Sequence, residues 1–111
     1  MPREFVIVSP EPITIIECVA AANAVNPDLG LGRLWNGGGL QIAGAGPVLA
    51  VLRSSAIEES GEVERLLGSI PAGLFYLTEA YGPWGEAFTC PLAEQLARAA
   101  GGTLTERRTT L

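Results

Sequence analysis

The chain has 111 residues, 48% of them apolar and only 17% charged, which suits a single domain over 1–111 able to bury about two-thirds of its unfolded surface. All seven basic residues are Arg, 12 are acidic and none is His, for a formal charge of −5. This excludes Ser-His-Asp and Cys-His catalysis, His-based zinc sites, lysine Schiff bases and the lysine of nucleotide-binding loops within the chain, and it disfavours nucleic acid as a partner.

The N-terminal MPREFVIVSP carries a short apolar run that stops at Ser9-Pro10, too brief for a secretory segment. No stretch approaches the roughly 18 apolar residues of a membrane span. The expectation is a cytoplasmic protein with no membrane partner. Cys18 and Cys90 form no CxxC pair and are expected to be reduced.

Phe5 to Val8 reads as a strand buried on both faces. Ser9 is then expected to cap a helix whose first turn holds Pro10, Glu11 and Pro12, with Ile15, Ile16, Val19 and Ala22 on the buried face. Asn26-Pro27 closes that helix. Leu31 to Trp35 and Leu40 to Ala43 flank Asn36-Gly37-Gly38-Gly39 as a hairpin, and Val48 to Leu52 continues the meander past Gly44-Ala45-Gly46-Pro47. A short helix is expected from Ser60 to Leu67.

Phe75 to Leu77 anchors the next strand, followed by an aromatic loop from Tyr81 to Glu86. Thr89 or Cys90 is expected to cap the last helix ahead of Pro91, with Leu92, Leu96 and Ala99 or Ala100 buried. Gly101-Gly102 stops it, and Thr103 to Arg107 reads as an edge strand. The order is β-α-β-β-β-α-β-α-β. It predicts an α/β (α+β) fold with a small mixed, largely antiparallel sheet and two or three helices on one face.

Candidate chemistry is sparse. The glycines lack the GxGxxG spacing of a dinucleotide site, since Leu49 and Trp35 stand where the third Gly is required. Cys90 at a helix start has the setting of an activated thiol, yet nothing supplies a base with a pKa near 7. Glu58, Glu59, Glu62 and Glu64 cluster around a loop-to-helix junction, suited to a solvated surface or a basic partner. No cofactor, metal site or catalytic residue is expected.

The loop from Tyr81 to Glu86 is the strongest candidate for binding, because aromatic anchors concentrate in interface hot spots and a turn displays them. Trp84 either folds back as a lid on the core, which is slightly favoured, or stands out as an anchor. The residues expected to meet a partner are Tyr81, Trp84, Glu79, Glu86, Glu58, Glu59 and Glu62.

The closing unit LAEQLARAAGGTLTE is similar in style to the ends of small bacterial α/β proteins that act as immunity proteins and antitoxins. That similarity, with the acidic charge, implies a non-enzymatic inhibitor of a basic toxin or enzyme. The alternative expectation is a homo-oligomer, such as a homodimer, that holds a small ligand or serves as a structural subunit.

Overall fold

The computed structural model describes residues 2–34, 38–57 and 75–107. Their elements run β1 (Pro2–Ser9), α1 (Ile15–Val25), β2 (Gly30–Arg33), β3 (Gly39–Ala43), β4 (Pro47–Leu52), β5 (Ser55–Ala56), β6 (Tyr76–Pro83), α2 (Thr89–Ala99) and β7 (Thr103–Arg107). All strand pairings are antiparallel, in the order β2-β3-β4-β6-β1-β7, with the short β5 also pairing β6. This is a small α+β fold with a seven-stranded sheet. The helix expected over 60–67, and Glu58, Glu59, Glu62 and Glu64, lie outside the described residues.

β1 sits between β6 and β7 and is buried on both faces, which explains its unbroken apolar run. Phe5 and Ile7 face α1 and α2 in the main core with Ile42, Leu49, Val51, Ala80, Leu92 and Leu96. Val6 and Val8 point the other way and are buried with Ile57, Phe75 and Leu77. Register ties the faces together, pairing Phe5 with Ala80 and Glu106, and Val6 with Glu79 and Thr105.

Helix α1 departs from the expectation in both start and rotation. Ser9 ends β1, and Thr14 is the cap, joined to Glu17 in a reciprocal capping box. Its buried residues are Cys18, Ala21 and Ala22, whereas Ile15, Ile16 and Val19 are exposed. A helix apolar nearly all round has no unique stripe, and packing chooses its face. The small side chains Cys18, Ala21 and Ala22 share the core with Ala93 and Ala97 of α2, letting the helices lie close. Asn26 closes α1 as expected.

Two further corrections concern β6 and α2. Strand β6 continues through Tyr81, Gly82 and Pro83, so the expected loop shrinks to the residues after Pro83. Gly82 is required there because a Cβ would strike the Thr89 methyl and the Val48 carbonyl oxygen. The N-cap of α2 is Phe88, which gives no side-chain cap bond, and Thr89 is instead buried, its hydroxyl donating to the Val48 carbonyl at 2.9 Å. The buried face of α2 holds Leu92, Ala93, Leu96 and Ala97, while Ala99 is exposed and Ala100 half-buried. Gly101, at φ 66°, then turns the chain into the edge strand β7.

Candidate functional site

Of the residues expected to bind together, the four that are described, Glu79, Tyr81, Trp84 and Glu86, fall on three surfaces. Tyr81 and Glu79 alternate with the core residue Ala80 and so stand on the sheet face away from the helices. The Tyr81 hydroxyl donates to Glu79 Oε2 at 2.8 Å, and Glu79 Oε1 lies 3.7 Å from Arg107 Nη1. The Tyr81 phenol is pushed above its ordinary 10.0, first by that hydrogen bond and then by burial. The Tyr81–Glu79 bond lies along β6, and the looser Glu79–Arg107 ion pair reaches over β1 to β7.

Trp84 begins the turn after β6 and is 64% exposed, so the lid over the core is not formed. Its ring is braced from behind. The Arg3 guanidinium carbon lies 5.4 Å from the Trp84 ring centroid and 5.3 Å from that of Phe5. Arg3 is itself fixed by a two-pronged bond to Glu106, with Nε to Oε2 and Nη2 to Oε1 both at 2.8 Å. Arg3 shares the sheet face of Phe5, and Glu106 is paired opposite Phe5, so the carboxylate, the guanidinium and the indole form a continuous stack at the helix-side edge.

Arg3 and Glu106 escaped the sequence reading. The pair joins the first and last strands, 103 positions apart, and only the β1–β7 register brings them together. Cys90 lies beside this stack; its thiol sits 3.7 Å from Glu94 Oε1, one helical turn on. Cys18 is wholly buried, and burial pushes its thiol up to about 11, with Glu17 adding to the shift.

Glu86 and Phe88 form the third surface. Glu86 Oε1 accepts the Phe88 amide at 3.2 Å, which ties the turn before α2. Both line a groove of about 300 Å³ with Asp28, Leu29 and Val48, closed by the 44–46 turn. Asn26 Oδ1 accepts the Asp28 amide at 3.0 Å, so a local turn holds the opposite wall. Neither Asp28 nor Glu86 has a cation partner among the described residues. No group of three His, Cys, Asp or Glu among those residues could hold a metal ion.

Among the described residues no helix is long and apolar enough to cross a membrane. No known protein family matches the chain, and neither a curated protein nor a solved structure matches it.

Proposed function

We propose that this chain is a protein-binding domain without chemistry of its own, and in its sharpest form an acidic inhibitor, of the immunity or antitoxin kind, that covers a basic toxin or enzyme. The observation that carries this reading is the exposed Trp84 lying against Arg3, which Glu106 grips through two hydrogen bonds. A large aromatic side chain braced in solvent by a neighbouring cation has less conformational entropy to lose on binding, and exposed aromatics of this kind are common interface hot spots. The net charge of −5 favours encounter with a basic surface.

Capture of proteins from lysate of the source organism tests the reading. Tagged wild type retains one stoichiometric basic partner, released by high salt, and Trp84→Ala does not. Loss of nothing in Trp84→Ala contradicts it.

A second reading, a homo-oligomer, draws support from a different surface. Ile15, Ile16 and Val19 of α1 are 56%, 72% and 42% exposed, an apolar group on a helix whose one charged side chain, Glu17, is engaged in the cap. If a light-scattering mass equals a multiple of the chain at every concentration, and Ile16→Asp returns it to monomer, this second reading replaces the first.

A further inference from the structure

We propose that α1 docks a second copy of this chain, the two helices lying parallel so that Ile16, Val19 and Asn23 each meet the same residue of the other copy. The pairing is weak and additional to the capture of a partner by Trp84, since α1 carries no part of the Trp84, Arg3 and Glu106 stack.

Two observations meet on this helix. Its outward side is apolar, with Ile16 the most exposed large apolar side chain among the described residues and Ile15, Val19, Ala20 and Ala24 exposed around it. At the centre of that side stands the exposed Asn23, two turns beyond Ile16. Positions 16, 19 and 23 have the spacing of a two-helix seam, with β-branched Ile at one a position, Val at d and Asn at the next a. An Asn amide carries both donors and an acceptor, so a copy of itself satisfies it. A wholly apolar partner would bury that amide unpaired. An antiparallel copy centred on Val19 and Ala20 would set it against Ile16.

Charge decides among the occupants. The one charged side chain of α1 is Glu17, whose Oε1 already accepts from the Thr14 amide and hydroxyl. A basic protein finds little to meet here, and an anionic lipid surface finds no cation on the helix while the net charge of −5 opposes approach. A second copy brings the same uncharged face, so contact desolvates no charge. Eleven residues make a helix about 16 Å long, and a seam of that length falls short of the roughly 1,000 Å² of a stable interface. The pair therefore forms only as concentration rises.

Sedimentation equilibrium of the full chain tests the pairing. The wild-type mass should climb from one chain toward two between about 10 µM and 1 mM, while Ile16→Asp, a change in solvent that spares the core, stays at one chain. Orientation is read with oxidised glutathione on cysteine variants in a Cys90→Ser background, where the remaining Cys18 is buried. Asn23→Cys and Ile16→Cys should each yield a disulfide between identical chains, two thiols being oxidised as one glutathione disulfide is reduced. Thr103→Cys, exposed on β7, should not.

A single-chain mass throughout, a doubled mass at every dilution, or a dimer indifferent to Ile16→Asp would overturn the inference. So would cross-links that form only when Ile16→Cys and Asn23→Cys chains are mixed. The two readings fail separately. Capture of a basic partner without pairing removes this inference alone, and pairing without any Trp84-dependent partner removes the function proposed above.

Discussion

The Arg3 guanidinium lies 5.4 Å from the Trp84 ring centroid while gripping Glu106 through two 2.8 Å bonds. Strands β1 and β7 thereby brace a side chain that follows β6. Arg3→Ala in a Trp35→Phe background, where Trp84 is the sole indole, should raise the acrylamide quenching constant of Trp84 fluorescence. Glu106→Gln should do so to a smaller extent, since the guanidinium stays but its anchor weakens. Unchanged quenching in both variants would mean that the stack does not hold the ring.

Trp84→Ala should cost less than about 1 kcal/mol of stability, because the side chain is mostly in solvent and loses chiefly a cation–π contact. Urea unfolding measures this. A larger loss would place Trp84 in the core and remove its role as a free anchor.

Gly82→Ala should be far more damaging. The new methyl meets the Thr89 side chain and the Val48 carbonyl oxygen, where α2 begins against β4 and β6. Overpacking at a backbone contact costs about 2 kcal/mol or more. The urea midpoint should fall accordingly, with recovery in part when Thr89→Ser shortens the opposing side chain.

The thiols should behave differently. Native protein at pH 8 should react with a disulfide reagent at Cys90, which is half-buried, and leave Cys18 untouched until denaturant is added. Cys18 also shapes stability at high pH. Its folded pKa of about 11 lies above the ordinary 9.0, so the folded state holds the proton longer. Stability from this group is therefore full below pH 9 and lost as pH rises from about 9 toward 11. Tyr81 contributes with the same sign, so the pH slope should diminish in Cys18→Ala and persist in part. An unaltered slope in Cys18→Ala would contradict the assignment.

Much of the fold was legible because local and global signals agree in it. The apolar run of β1, the strands β2 to β4 of the meander and the Gly101 stop each match the element observed, while residues 35–37 of the expected hairpin lie outside the described residues. Where they conflict, the reading failed. Pro10 and Pro12 imitate a helix start, yet the capping box Thr14-Ile15-Ile16-Glu17 was present in the sequence and gives the true one. Gly82 and Pro83 look like loop residues, but Gly82 serves a tight contact and Pro83 ends the strand. The site was half legible. Composition marks Trp84, while its support by Arg3 and Glu106 depends on tertiary register alone.

The central claim is that Trp84 anchors a basic protein, and the most direct measurement is the affinity of the captured partner, purified, by titration calorimetry. It would be taken with wild type and Trp84→Ala at low and high salt. The account predicts a loss of about thirtyfold or more in Trp84→Ala, and a steep weakening of wild-type binding as salt screens the charges. Equal affinity for the two proteins, or binding indifferent to salt, would contradict it.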